Sequence, residues 1–275
     1  TAKIAWEKAG IIKEGVSLIT ACDDRDALQV IQKEFNDVQG EGSSAGLWQA
    51  RGKCHWKTRS LGLAGQIVDL ATPSQYYENI ELPLPGQYQC VNLACAALTW
   101  ELLVKSYFPA LNMFSQRKLM KETLQKGITS VSWPCRLELV QEKPDVVLDG
   151  SHNPDGLRHL AVWLSEHRHL YRQVLLVMGM VQDKDRLSAA KHLNGLVSQV
   201  IITKPLSDRA GAWEGLAEGF DKSKTENVEF IEDCHQAVQK AIELAGECDL
   251  VLCTGSFFLV GELRKNWIAK EMFSR

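Results

Sequence analysis

The chain lacks long hydrophobic runs and has little excess of charge of either sign. No apolar stretch approaches the roughly 20 residues that a membrane-spanning helix needs, and the amino-terminal segment does not have the pattern of a signal peptide. Among 275 residues there are 31 basic and 34 acidic side chains, a net charge of −3. No overall positive field therefore attracts nucleic acid or an anionic membrane. We expect a soluble, cytoplasmic protein whose partners are small molecules, with no nucleic acid and no membrane among them.

The eight cysteines include no C-x-x-C pair, the spacing typical of zinc and redox sites. Several lie in apolar runs, where a reduced cysteine packs as a small hydrophobic side chain. We therefore predict free thiols, with neither zinc nor disulfides. A metal cluster at His167 and His169 is also disfavoured, because cationic side chains in the last turn of a helix more often complement its dipole. The sequence has no G-x-x-x-x-G-K-[ST] phosphate loop and no internal repeat.

The part of the chain from Leu137 onward alternates apolar strand-like runs with helical ones, which is typical of a βαβ domain with a mainly parallel sheet. At 275 residues and 45% hydrophobic content, the chain has room for one large or two medium domains. The predicted strands of this part are 137–140, 145–149, 173–179, 198–203, 227–231 and 249–254, and the predicted helices are 154–168, 183–194, 209–220, 233–246 and 258–270.

The first half of the chain is less regular and ends at a predicted boundary near Trp133–Arg136. The segment from about 47 to 82 reads as short β-strands, and Leu82–Gly86 reads as an extended linker. The other predicted elements are a helix at 4–9 closed by Gly10, a strand at 16–20, a helix capped by Asp23, and helices at 92–105 and 115–126.

The most informative stretch is 145–154, where an apolar strand runs directly into a helix start. Asn153 is the predicted N-cap and Pro154 the first helical residue. Asp149 and His152 are therefore expected at the carboxyl edge of the sheet, beside a positive helix end that favours an anion. There Asp149 would orient either the imidazole or a cationic partner. The alternative is an Asp-Gly turn followed by a capped helix with a surface histidine.

Three further loops follow predicted strands and are expected to line the same edge. They are 179–185, with the acidic and basic run Asp183-Lys184-Asp185, then 203–205 and 254–256. By themselves, Asp183–Asp185 also fit a solvated helix start, and Thr254-Gly255-Ser256 fits a simple turn from strand to helix.

Six segments follow one another along the chain: Ile4–Lys13, Gly86–Asn92, Trp133–Glu138, Asp149–Pro154, Gly179–Asp185 and Thr254–Ser256. With these segments in this order, the chain resembles folylpolyglutamate synthase and its bifunctional relative dihydrofolate synthase, members of the Mur ligase superfamily. The resemblance implies an α/β fold in two domains. Residues 1–134 would be the carboxyl-terminal part of the ATP-binding central domain, and residues 135–275 a Rossmann-like carboxyl-terminal domain with a mainly parallel sheet.

The resemblance implies ATP-dependent addition of L-glutamate to a folate, or to dihydropteroate to make dihydrofolate, through an acyl phosphate. ATP and Mg²⁺ would be the cofactors, with a monovalent cation as a further option, and the intact protein would be a monomer. Such chemistry needs cations that neutralise phosphates and groups that hold the acyl phosphate beside the amine.

Among the site residues that the resemblance implies, Lys8 matches a lysine that becomes carbamylated and helps to hold magnesium. A carbamate would supply the hard oxygen ligand that Mg²⁺ prefers. The alternative for Lys8 is a solvated side chain in the last turn of a helix before Gly10.

Asn92 and Arg136 match positions that contact ATP, and Gln89 would assist near the adenine. The guanidinium of Arg136 suits phosphate because its donors form a fixed fork. Asp149 and His152 match the pair that reaches the nucleotide and the reaction centre. The alternatives are a polar residue on an apolar helix for Asn92 and a salt bridge between domains for Arg136.

Two departures from the family pattern bear on these expectations. Cys135 stands where the family has glycine in a Pro-Gly-Arg turn, a position at which glycine's backbone freedom would matter. The chain also begins just after the family's phosphate-binding loop and a magnesium-binding histidine, so we expect the isolated chain to be incomplete for catalysis. The alternatives are a non-catalytic fragment that binds a nucleotide or a partner, and a ligase for peptidoglycan precursors. The segments Glu7–Gly10 and Asp149–Pro154 argue against the peptidoglycan ligase.

Overall fold

The structure, a computed structural model, describes residues 1–40, 42–221, 225 and 227–273, with side chains as far as residue 268. The chain forms two compact units. It passes from the first to the second between Val131 and Ser132, three residues before the predicted boundary at 134/135. The first unit comprises Thr1–Leu61, Gly65–Pro83 and Gln87–Val131, and the second comprises Gly62–Ala64, Leu84–Gly86 and Ser132–Arg275. None of the helices in the described residues is long and apolar enough to cross a membrane.

Within its described residues, the first unit contains a parallel pair of strands, a three-stranded antiparallel sheet and five helices. Strands β1 and β2 form the pair, and β3, β4 and β5 form the sheet in that order. The elements are α1 (Ala2–Ala9), β1 (Leu18–Thr20), α2 (Arg25–Gln39), β2 (Leu47–Gln49), α3 (Ala50–Lys53), β3 (His55–Ser60), β4 (Gln66–Ala71), β5 (Tyr76–Leu82), α4 (Tyr88–Tyr107) and α5 (Met113–Thr129).

Local sequence accounts for these elements, with one correction. Alternate residues of β4 are buried, the period of a strand with one face on the core. The predicted cap of α2, Asp23, is wrong by one residue. The cap is Asp24, which has extended backbone angles and accepts a 2.8 Å hydrogen bond from the Ala27 amide. An N-cap residue needs that non-helical conformation for its carboxylate to reach back to the first turn.

The second unit is built on one six-stranded sheet, in the order β10-β9-β8-β11-β7-β6. Five strands are parallel, and β6 at the edge runs antiparallel to β7. Each strand lies within one or two residues of its predicted position, and the predicted mainly parallel α/β architecture is confirmed. The strands are β6 (Glu138–Gln141), β7 (Asp145–Leu148), β8 (Val174–Met178), β9 (Gln199–Ile202), β10 (Asn227–Phe230) and β11 (Leu250–Thr254).

Helices cover both faces of this sheet, which explains why its central strands are apolar throughout. Helices α6 (Pro154–His167) and α7 (Arg186–Lys191) pack on the face that contains Val147. Helices α8 (Cys234–Leu244) and α9 (Phe257–Phe273) belong to the opposite face, which contains Val146 and Leu148.

The predicted helix at 209–220 is wrong in type and extent. The segment holds a 3₁₀ helix at Trp213–Gly219 instead. Gly211 has φ +53°, outside the α-helical region, and Gly215 and Gly219 add further residues with low helix propensity. Because glycine disfavours helical backbone, the helix begins at Trp213 instead of 209 and is a 3₁₀ helix instead of an α-helix.

The order of the strands brings three turns together at the carboxyl edge. Strand β11 lies between β7 and β8, so the turns that follow these strands are neighbours. The Gly255 amide donates to the Ser151 carbonyl at 3.0 Å, and the Gly179 amide donates to the Thr254 carbonyl at 3.2 Å. The loops predicted at 149–154, 179–185 and 254–256 thus share one edge.

Candidate active site

Asp149 follows β7 and is almost fully buried, at 2% exposure. Its carboxylate accepts a hydrogen bond from the Leu137 amide at 3.1 Å and another from the Ser151 amide at 3.0 Å. Burial raises the pKa of Asp149, while hydrogen bonds from Ser151 and Leu137 and the positive charge of Arg136 oppose that rise. Asp149 therefore fastens the turn before β6 to the turn after β7 and places a carboxyl group close to a guanidinium.

The imidazole of His152 is oriented by the backbone of its own turn. Its Nδ1 lies 3.0 Å from the Gly150 carbonyl oxygen. Because a carbonyl can only accept, Nδ1 carries the hydrogen, and Nε2 is left as the nitrogen that can exchange a proton. Of the two predicted partners of Asp149, the described residues show no hydrogen bond from its carboxylate to this ring, whereas the positive charge of Arg136 acts on it.

The helix start predicted after this turn is confirmed. Asn153 caps α6, and its side-chain oxygen accepts a 2.8 Å hydrogen bond from the Gly156 amide. Pro154 occupies the first helical position, where its missing amide hydrogen costs nothing. The turn that carries Asp149 and His152 is therefore tied directly to a rigid helix.

Arg136 lies in a turn held by several backbone hydrogen bonds. Cys135 and Leu137, on either side of it, have φ values of +58° and +50°. The Cys135 amide donates to a Glu138 carboxylate oxygen at 2.8 Å, and the Cys135 carbonyl accepts from the Gly150 amide at 2.8 Å. The left-handed backbone that glycine would favour is thus adopted with cysteine in its place. These hydrogen bonds offset the steric cost of a side chain in that region.

Phe257, the first residue of α9, joins Arg136 and His152. Its ring centroid lies 5.2 Å from that of the His152 ring, at an interplanar angle of 50°, and 5.3 Å from the guanidinium carbon of Arg136. A Cβ carbon built on Gly150 would overlap this phenyl ring. Sequence reasoning missed Phe257. The available signal was an aromatic residue directly after the Thr254–Ser256 turn, on the edge already predicted to carry the site.

Two acidic residues of the loop at 179–185, Asp183 and Asp185, form hydrogen bonds with nearby protein groups. The carboxylate of Asp183 accepts two hydrogen bonds from Arg209, at 2.7 and 2.8 Å, and these bonds lower the pKa of Asp183. Asp185 caps α7 by accepting from the Ser188 amide at 3.1 Å. The alternative of a solvated helix start describes these two acids well.

The first unit carries the other predicted residues. Gln89 is buried near the start of α4, and its side-chain oxygen accepts a 2.7 Å hydrogen bond from the exposed Asn92, one turn further on. Lys8 is exposed in the last turn of α1, with its ammonium 3.3 Å from a Glu7 carboxylate oxygen. The structure thus pairs Gln89 with Asn92, as expected for residues three apart on a helix.

The donor set for a metal ion is sparse in the residues that the structure describes. These residues contain no group of three His, Cys, Asp or Glu side chains arranged to hold a metal. His167 is buried, stacks on Trp163 and bonds its carbonyl at 2.7 Å. Lys8 would supply a single carbamate ligand. These residues therefore supply only part of the ligand set that a magnesium ion needs. All eight cysteines are free thiols.

The chain has curated relatives along nearly its whole length. The dihydrofolate synthase/folylpolyglutamate synthase of Bacillus subtilis is 31% identical over 263 residues, which are 96% of this chain and 57% of that protein. The folylpolyglutamate synthase of Lacticaseibacillus casei is 28% identical and covers 95% of this chain and 56% of its own length. The chain therefore spans a little over half the length of these relatives.

Solved structures and a family comparison give the same relationship. Mycobacterium tuberculosis folylpolyglutamate synthase complexed with ADP is similar with a TM-score of 0.80 and 25% identity, over 97% of this chain and 59% of that one. The folylpolyglutamate synthase of Thermotoga maritima gives 0.66 and 26%, over 97% and 57%. Residues 135–257 match the Mur ligase, glutamate ligase domain family. Residues 135–257 thus match a Mur ligase family, and nearly the whole chain is similar to folylpolyglutamate and dihydrofolate synthases.

Proposed function

We propose that this chain takes part in the ATP-dependent ligation of L-glutamate to a folate, or to dihydropteroate, through an acyl phosphate. The observation that carries the proposal is the grouping of Arg136, Asp149 and His152 at one edge of a parallel sheet, inside the segment that matches a glutamate ligase domain. Ligands of open α/β sheets bind outside the carboxyl ends of the strands.

The reaction has two steps. A carboxylate oxygen of the folate attacks the γ-phosphorus of ATP, and ADP leaves with the electron pair of the broken bond. The amine nitrogen of glutamate then attacks the acyl carbon, phosphate leaves, and the nitrogen loses a proton. The chain must therefore hold phosphate oxygens, accept a proton near the amine and exclude water from the acyl phosphate.

In the second unit, Arg136 and His152 suit two of these tasks. The guanidinium of Arg136 makes no hydrogen bond or ion pair to another side chain within the described part of the chain, so its fork of donors is available for phosphate oxygens. The Nε2 atom of neutral His152 accepts the proton that the attacking amine loses. Asp149 keeps both turns in place and offsets the positive charge of Arg136.

In the first unit, we assign Gln89 and Asn92 to the nucleotide base and Lys8 to the metal. The pair of amide side chains on α4 offers donors and acceptors to a purine edge. Magnesium, when bound, would neutralise the phosphate charge, and a carbamate on Lys8 would be one of its oxygen ligands. A ¹³C NMR spectrum of the protein supplied with ¹³C-labelled bicarbonate tests the assignment of Lys8. A carbamate signal should appear in the wild type and should be absent from Lys8→Met.

The test of the function is ADP formation by the protein as its source organism makes it. We expect ADP only when a folate or dihydropteroate and L-glutamate are both present, with one amide product per ADP detected by mass spectrometry. ADP formation that depends on a muramyl peptide precursor instead would overturn the folate assignment. Binding of ADP without turnover under all these conditions would favour a non-catalytic nucleotide-binding protein.

A further inference from the structure

Phe257 is too exposed to be explained as a core residue. Its residue exposure is 45%, close to the 49% of the neighbouring Phe258, and both stand in the first turn of α9. The two rings differ in what they touch. Phe257 contacts the imidazole ring of His152 and the guanidinium of Arg136. Within the described residues, Phe258 makes no contact with another ring or with a cation. A half-exposed apolar side chain is common in itself, so the contacts of Phe257, rather than its exposure, distinguish it from Phe258.

The position of Phe257 is fixed by hydrogen bonds between two turns. Gly255 has φ +107°, and its amide donates to the Ser151 carbonyl at 3.0 Å. The Thr254 hydroxyl lies 3.4 Å from the same carbonyl oxygen. The turn after β11 is therefore hydrogen-bonded to the turn after β7, and Phe257, which follows the turn after β11, packs against Gly150. Only a residue without Cβ leaves room for the ring there.

Helix α9 also secures the Arg136 turn at a second point. Two turns after Phe257, Arg264 donates to both carboxylate oxygens of Glu138 at 2.9 Å. Glu138 in turn accepts from the Cys135 amide at 2.8 Å. The backbone before Arg136 is thus held by the Arg264–Glu138 pair of α9, and the guanidinium of Arg136 contacts the Phe257 ring.

We propose that Phe257 is a positioning residue that holds the imidazole of His152 and the guanidinium of Arg136 in one fixed arrangement. A guanidinium that faces an aromatic ring gains a cation–π interaction, and a tilted pair of rings gains a further contact energy. Both gains depend on a π surface rather than on apolar volume. The catalytic consequence rests on the proposed function, because Arg136 and His152 are assigned to phosphate and amine there.

Phe257→Leu is the test variant, since leucine keeps the apolar bulk of the side chain and removes the aromatic ring. The conservative variant is Phe257→Tyr, whose added hydroxyl can reach solvent from a half-exposed ring. The matched control is Phe258→Leu, the same change at the next residue with nearly the same exposure. None of these changes adds a charge or alters a hydrogen bond of the locked turns.

Two readouts do not need turnover. In proton–carbon NMR spectra, the ring protons of His152, assigned with His152→Gln, should move in Phe257→Leu because the ring current of the phenyl group is lost. They should keep their positions in Phe258→Leu. Calorimetry should give ADP binding that is about 3- to 5-fold weaker for Phe257→Leu, the loss expected from one cation–π contact, with Phe257→Tyr close to wild type.

The third readout separates this proposal from the proposed function. In a glutamate-dependent assay, Phe257→Leu should raise KM for ATP and lower kcat, Phe257→Tyr should restore both, and Phe258→Leu should change neither. Unmoved His152 resonances together with unchanged ADP binding in Phe257→Leu would overturn the positioning role. Absence of folate-dependent turnover in the wild type would instead defeat the proposed function, while the NMR and calorimetric results still decide the role of Phe257.

Discussion

The phenyl ring of Phe257 occupies the space that a side chain on Gly150 would need. Two residues from separate turns of the sheet edge are therefore matched in size. The φ angle of Gly150 is not positive, so space rather than backbone freedom requires glycine there.

Gly150→Ala should destabilise the protein by about 1–3 kcal/mol, the usual cost of forcing extra atoms into a packed position. In a Phe257→Ala background the same change should cost much less, because the obstructing ring is gone. Urea unfolding of the two single variants and the double variant measures this coupling. The control is Gly261→Ala, since a Cβ there meets nothing within 4 Å. Additive effects of the two changes would contradict the size match.

Cys135→Gly should be more stable than Cys135→Ala by about 1 kcal/mol, since only glycine relieves the side-chain strain at φ +58°. Both variants lose the same buried thiol. Burial raises the pKa of this thiol to about 11, so the wild type carries no thiolate charge near neutral pH that would complicate the comparison. Chemical unfolding at neutral pH gives the difference. Equal stability would mean that the turn relaxes to a negative φ angle when the side chain is shortened.

Asp149→Asn should change how stability depends on pH. Burial raises the pKa of Asp149 above its ordinary value of 3.8, so the folded protein binds this proton more tightly than the unfolded chain does. Its contribution is therefore fully present below pH 3.8 and is lost as the pH rises through the folded pKa.

The asparagine variant cannot lose this contribution, because it does not ionise. Its amide nitrogen meets one of the two backbone amides, at a cost that does not vary with pH. We expect the variant to gain stability relative to wild type as the pH rises above 4. Unfolding curves measured from pH 3 to 8 provide the test, and a pH-independent difference would contradict the raised pKa.

Arg172→Gln should have the opposite dependence, because it removes a donor from the buried carboxylate of Asp249. Burial alone would raise the pKa of Asp249, but hydrogen bonds from Arg172, Gly246 and Gln173 outweigh it and hold the pKa below 3.8. The stabilisation is therefore present above pH 3.8 and lost as the pH falls through the folded value. The variant should unfold at lower urea concentration at pH 7 and approach wild type in acid. Arg158→Gln, in an exposed pair, serves as the control.

Arg136→Lys should weaken ADP binding about 10-fold, since a charged hydrogen bond to phosphate contributes about 1.5–3 kcal/mol and lysine cannot reproduce the fork. Titration calorimetry measures the dissociation constant. Arg158→Lys, an equivalent change on the surface of α6, should leave it unaltered. Binding of equal strength in Arg136→Lys would remove Arg136 from the proposed phosphate site.

The sequence by itself determined most of the second unit. Apolar runs located all six strands, and Asn153 with Pro154 located the start of α6, because these signals are local and act within a few residues. Three of the segments that resemble the family, Asp149–Pro154, Gly179–Asp185 and Thr254–Ser256, lie where strands β7, β8 and β11 end. Local signals were weakest at 209–220, where glycine competes with helical spacing, and at Asp23, one residue before the actual cap.

Only the tertiary structure decided which turns meet. The insertion of β11 between β7 and β8 brings Thr254 to Ser151, although these residues are 103 positions apart in the chain. No local period encodes such strand order, since it results from how whole elements bury their apolar faces. The hydrogen bond between the Cys135 carbonyl and the Gly150 amide, and the place of Phe257 between His152 and Arg136, both depend on that long-range packing.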